Sequence, residues 1–131
     1  MTGELVIGQK NWLETKEFLD QLPIPFSHEI FLEETEVART LDVDDILVKS
    51  ESLKPGDMLS LKREPLNEFD EYAIRIETAD GMKLGYIPSR SNKVLAHLMD
   101  AGKPLFAKFK DKDLIGEFWM GMCVEIYMKE I

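Results

Sequence analysis

The run Leu59-Ser60-Leu61-Lys62-Arg63-Glu64-Pro65-Leu66-Asn67-Glu68-Phe69-Asp70-Glu71-Tyr72-Ala73-Ile74 carries the densest structural information in the chain. Leu59, Leu61 and Arg63 recur at every second position, the period of a strand with one face toward a core. Pro65 has no amide hydrogen to give to a sheet ladder, so the strand stops there. Asn67 and Asp70 belong to the residue types whose side chains accept from nearby backbone amides and so close a loop. Ala73 and Ile74 then open another strand. Upstream, Pro55-Gly56-Asp57 is a turn signal, which sets the first strand at Met58 to Arg63.

The alternation continues on both sides. In residues 29–38, Phe31, Glu33, Thr35 and Val37 point one way, and Ile30, Leu32, Glu34 and Glu36 the other. A polar connection from Leu41 to Lys54 follows. Tyr72 to Thr78 reads as a strand, turned by Ala79-Asp80-Gly81 into Met82 to Ile87, with Asp-Gly as a strong hairpin signal. Pro88 ends the sheet. Ser89 or Ser91 is the expected cap of a helix running to Asp100, with Val94, Leu95, Leu98 and Met99 on one face and Gly102 just past its end. Leu105 to Lys110 is a strand, and Asp111 and Asp113 mark a turn. The last strand is expected to place Phe118, Met120, Met122, Val124, Ile126 and Met128 on one face.

Near the N-terminus, Asn11 is placed to cap a short helix from Trp12 to about Gln21, stopped by Pro23 and Pro25. Residues 1–28 are therefore read as a helical extension and 29–131 as the main domain. The expected fold is mainly β. It is a small OB-like or SH3-like β-barrel of about six strands, with one helix in the barrel and a short N-terminal helix. Closure of the barrel removes exposed strand edges.

The bulk properties agree with one globular domain. The chain has 131 residues, 44% of them hydrophobic and 31% charged. Its net charge of -9, from 16 Lys+Arg against 25 Asp+Glu, opposes indiscriminate attraction to nucleic acid. The acidity is uneven. Residues 29–57 carry nine acids and three bases, whereas residues 58–110 carry nine bases and seven acids. The one cysteine, Cys123, lies in an apolar run and reads as a small core residue, compatible with the reducing cytoplasm. The first residues lack a basic segment followed by an apolar stretch, so no secretory signal is expected. No apolar run approaches the roughly 18 residues of a membrane span, so no membrane partner is expected.

His28 and His97 are far apart, and Asp42-Val43-Asp44-Asp45 lacks the glycine and distal glutamate of an EF-hand, so neither a metal nor a cofactor is expected. Twenty-five carboxylates with no readable pocket single out no acid–base pair, and the chain is read as non-enzymatic.

Taken in order, Gly56-Asp57, Leu59, Leu61, Arg63-Glu64-Pro65, Asn67, Phe69-Asp70 and Ala73-Ile74, then Gly85-Tyr86-Ile87-Pro88 and Asp100-Ala101-Gly102, resemble the HIRAN domain family. The likeness spans roughly residues 30–128. It implies a modified OB-like barrel that occurs alone in bacteria, or fused to helicase-like remodelling ATPases and nucleases of DNA repair. Its better understood members bind single-stranded DNA, especially the 3′ end. The implied partners are therefore single-stranded DNA or a DNA 3′ end, and a helicase, nuclease or other protein. With no P-loop, the chain looks like the module without a motor.

By matching position, the resemblance gives Phe69 the role of stacking on a base and Asp70 that of accepting from the terminal 3′-hydroxyl. Asn67 closes the loop that carries them. Tyr86 adds a second polar ring and, with Arg63, Arg90 and Lys93, is a candidate for placing backbone phosphates. The residues also support a structural reading, in which an Arg63–Asp70 pair staples the loop. DNA-binding members carry an Arg-Tyr-Tyr run after the first strand. The corresponding stretch here is read as Leu41-Asp42-Val43, with no aromatic, no cation and an added carboxylate. That departure, with the net charge, motivates an alternative: a protein-interaction module that keeps the HIRAN fold without binding DNA, docking through the acidic loop and the N-terminal helix.

Overall fold

The computed structural model describes residues 29–130. The helix expected between Trp12 and Gln21 lies outside the described residues. Among the described residues there are six strands: β1 (Glu29–Glu36), β2 (Met58–Arg63), β3 (Ile74–Glu77), β4 (Lys83–Tyr86), β5 (Leu105–Ile115) and β6 (Phe118–Lys129). They form one sheet in the order β1-β6-β5-β2-β3-β4. Two helices, α1 (Ile46–Ser50) and α2 (Ser89–Asp100), and a 3-10 turn at Thr40–Asp42 are the other elements among the described residues.

The sheet curls until the chain leaving β1 reaches β4. Ala38 and Tyr86 exchange both backbone hydrogen bonds, at 2.7 and 2.9 Å. The two edge strands are thereby linked, and the mainly β, six-stranded architecture expected from the alternation is present as a curled half-barrel. Gly85 makes this closure possible. A Cβ there would lie 2.5 Å from the Ala38 carbonyl oxygen and 2.6 Å from Val37 Cγ1.

The core follows the period-two pattern. Leu59 and Leu61 of β2, Ile74 and Ile76 of β3, Leu84 of β4, Ala107 and Phe109 of β5, and Val124 and Ile126 of β6 are all buried. Leu95 and Ala96 bring α2 into the same cluster with Leu98 and Met99 packed against it, whereas Val94, expected on that face, points to solvent. Thr78 and Met82 pair across the Asp80-Gly81 turn, as the hairpin signal predicts. Gly102, at φ 92°, lets the chain leave α2, its amide donating to Met99. Among the described residues no helix is long and apolar enough to cross a membrane.

Several expectations are corrected. The polar connection from Leu41 to Lys54 contains α1, because Val43 and Ile46 bury themselves in the core while the acids between them stay in water. Strand β5 runs on to Ile115, past Asp111 and Asp113, and the turn falls at Gly116-Glu117. In β6, Asp113 pairs with Gly121 but Leu114 pairs with Trp119, leaving Met120 bulged. One extra residue reverses the alternation. Trp119 therefore goes inside, while Phe118 and Met120 stand 76% and 55% exposed. Cys123 is half-buried rather than in the core, on the face opposite Met122 and Val124. Burial and the Asp111, Glu34 and Glu36 carboxylates push its pKa up, which keeps it a thiol. Helix α2 starts on Pro88 with no side-chain cap, since the Ser91 hydroxyl donates to Glu33 instead.

Candidate functional site

The β2–β3 loop is built around two side chains. Asn67 Oδ1 accepts from the amides of Phe69 (2.8 Å) and Asp70 (3.1 Å), and Asp70 Oδ1 accepts from Tyr72 (2.8 Å). With its backbone turned this way the loop sends the Phe69 ring into solvent, 81% exposed. A ring on a loop this thoroughly tied is exposed by construction and not by looseness. Asp70 Oδ2 also accepts from Asn92 Nδ2 of α2 at 2.7 Å. Each carboxylate oxygen then has one partner and a lone pair to spare.

Across from this loop stands Arg39. It adopts the left-handed region, at φ 64° and ψ 27°, which costs a non-glycine residue about 1–2 kcal/mol. Its neighbours hold it there. Ala38 is fixed to Tyr86, and the buried Thr40 hydroxyl accepts from Trp119 Nε1 at 2.7 Å. The strained residue carries its guanidinium to 5.9 Å from both the Phe69 and the Tyr86 ring centres. Asp42 accepts from it at 3.0 Å. Lys83 lies over the Tyr86 ring at 4.6 Å, so that ring has a cation on each of two approaches.

Glu64 locks the base of the arrangement. It accepts from the Tyr86 hydroxyl (2.9 Å) and from Asn67 Nδ2 (3.0 Å). Burial pushes its pKa up, but these two hydrogen bonds and the Arg75 and Lys83 charges outweigh it and leave the carboxyl below its ordinary value. The resulting cleft, of about 300 Å³, is lined by Arg39, Asn67, Phe69, Asp70, Tyr86 and Asn92 among others.

Of the residues singled out in the sequence, the structure thus brings Asn67, Phe69, Asp70 and Tyr86 to one cleft. It places the other three elsewhere. Arg63 does not staple the loop through Asp70. It grips Asp100 at the end of α2 with two bonds of 2.9 and 3.1 Å and the Ala73 carbonyl with a third. That pairing with Asp100 raises its own pKa. Arg90 is bonded to Glu36 of β1, and Lys93 lies over the Tyr72 ring at 5.7 Å.

Arg39, which lines the cleft, and Lys83, which lies over the Tyr86 ring beside it, are the cations that sequence reasoning missed. Setting Arg39-Thr40-Leu41, instead of Leu41-Asp42-Val43, against Arg-Tyr-Tyr recovers the cation. It does not recover the aromatics, because Thr40 is buried against Trp119 and Leu41 is 78% exposed. No group of three or more metal-ligating side chains converges among the described residues.

The class defined by this arrangement is a small curled antiparallel β domain with a polar, aromatic-lipped cleft at the closing edge. Residues 39–111, more than half of the chain, match the model of the HIRAN domain, and the chain belongs to that family. A structural-genomics crystal structure of a protein from Lactobacillus plantarum is similar, with a TM-score of 0.71 and 29% identity over 79% of this chain and 97% of that one. The crystal structure of the HIRAN domain of human HLTF has a TM-score of 0.58 and 15% identity, over 77% of this chain and 78% of that one. At that identity the likeness bears on the fold. No curated protein sequence matches the chain.

Proposed function

We propose that the chain binds single-stranded DNA by its 3′ end in the cleft between Arg39 and the β2–β3 loop, as a non-catalytic module of DNA repair or processing. The observation that carries the reading is the Phe69 ring, 81% exposed on a loop tied by the Asn67 and Asp70 side chains and set beside a carboxylate with unused lone pairs. A bare ring face is what a terminal base stacks on, worth about 1–3 kcal/mol. Asp70 is next in the chain and accepts from the terminal 3′-hydroxyl. Arg39 and Lys83 meet the adjoining phosphates. Arg63 and Arg90 are bonded to Asp100 and Glu36 and do not line this cleft, so the reading gives the phosphates of the terminal nucleotides to the cations beside Phe69 and Tyr86.

Tyr86 supports the cleft through Glu64 and does not contribute its hydroxyl to phosphate. With a net charge of -9 and few cleft cations, binding is modest and weakens steeply with salt. Fluorescence anisotropy tests the reading with four probes: single-stranded DNA with a free 3′-hydroxyl, the same strand blocked at that end, blunt duplex, and RNA. Preference for the free 3′ end that fades with salt is the expected result. Equal binding to free and blocked strands, or no binding at low salt, overturns it.

A further inference from the structure

At the opposite end of β3 the chain forms a second hollow, of about 260 Å³, with Leu53, Asp57 and Met58 on one side and Thr78, Asp80 and Met82 on the other. Its apolar wall is soft. Met58 and Met82 are 51% and 38% exposed, and Leu53 packs on the core beside them. Unbranched thioether side chains adapt to whatever apolar surface is offered. Its charged lining is of one sign. Asp57 and Asp80 line it and no lysine, arginine or histidine does. Asp57 Oδ2 accepts from the Lys54 amide at 2.9 Å, which fixes the carboxylate and leaves its other oxygen open. Among the described residues Asp80 makes no hydrogen bond or ion pair.

We infer that this hollow docks a protein segment that presents an arginine or lysine beside an apolar residue. The long apolar stem of such a side chain lies along the methionines while its head reaches the two carboxylates. Other occupants fit less well. A purely apolar plug would strip water from Asp57 and Asp80 and return nothing to them. A nucleic-acid backbone would meet two like charges. The inference is independent of DNA binding, which uses the other end of the strand.

The test uses the full chain with methyl-labelled methionine and follows its seven Met methyl signals by NMR. One probe is a short peptide carrying Leu-Arg-Leu-Lys. The controls are the same peptide with glutamine at both basic positions, and spermidine. The cationic peptide is expected to shift the Met58 and Met82 methyls in a saturable way and to leave those of Met99, Met122 and Met128 in place. Asp80→Asn keeps the turn, because Asn-Gly suits it as well as Asp-Gly does. It should weaken the peptide about fivefold, and Asp80→Lys about tenfold or more. Three results overturn the inference: no shift at millimolar peptide, equal shifts with the glutamine peptide or with spermidine, or an affinity that Asp80→Asn and Asp80→Lys leave unchanged.

Discussion

The two ends of β3 (Ile74–Glu77) lie roughly 10 Å apart along the strand and share its core face, yet they carry opposite chemistry. At the Ile74 end, a ten-residue loop between β2 and β3, the strained Arg39 and the start of α2 converge on a cleft with a cation, two rings and one carboxylate. At the Glu77 end, the tight Ala79-Asp80-Gly81 turn and the segment before β2 leave methionines and two carboxylates. The strand itself is the same alternating, buried scaffold throughout. Chemistry therefore comes from what closes each end. The long loop and the edge bridge create a polar cleft with a satisfied network. The tight turn creates a small apolar hollow with acids on its lip.

That contrast is most severely broken by Gly85→Ala. The added Cβ meets the Ala38 carbonyl and should force β1 and β4 apart. A loss of about 2–4 kcal/mol in urea denaturation, together with loss of DNA binding, is expected. Next in size is Phe69→Ala. The ring is exposed, so the denaturation midpoint should stay put while affinity for single-stranded DNA falls by about 1–3 kcal/mol. A drop in stability without a drop in affinity would make Phe69 a structural residue. Arg39→Gln should reduce affinity less, and should flatten the dependence of log affinity on log salt by about 0.7 for one lost phosphate contact.

Glu64 sharpens the comparison through pH. Its folded pKa is depressed, so it contributes stability above its unfolded value and loses it as pH falls through the folded one. Acid titration of stability should therefore show a carboxylate step that Glu64→Gln removes, together with weaker DNA binding on the acid side. The smallest effect expected on DNA is that of Asp80→Asn, at the other end: no change in oligonucleotide affinity. A change there would mean that the two ends are coupled.

Much of this fold was legible in the sequence because burial and turn chemistry are local. Leu59/Leu61, Ile74/Ile76 and Asp80-Gly81 announce their places by period and residue type. The Asn67–Asp70 loop was legible for the same reason, since its side chains bond to backbone two or three residues away. What escaped was long-range or phase-dependent. Arg63 was read with Asp70, seven positions on, whereas its partner is Asp100, brought near by α2. The bulge at Met120 inverted the faces of the end of β6, and no pattern of apolar residues in one strand reports its register with another. Arg39 left no signal because its position depends on a left-handed backbone and on a bridge to Tyr86. The family model nevertheless begins its match at that residue.

The most direct test pairs Asp70 with the DNA end it is held to recognise. Affinities are measured for the wild type and Asp70→Asn, each against single-stranded DNA ending in a 3′-hydroxyl and the same strand lacking that hydroxyl. Asn keeps an acceptor for the Tyr72 amide, so the loop should survive. The account predicts that the wild type favours the hydroxyl end and that Asp70→Asn erases most of the preference, leaving the two strands nearly equal. A preference that persists undiminished in Asp70→Asn, with the protein folded, would contradict it and move end recognition away from this cleft.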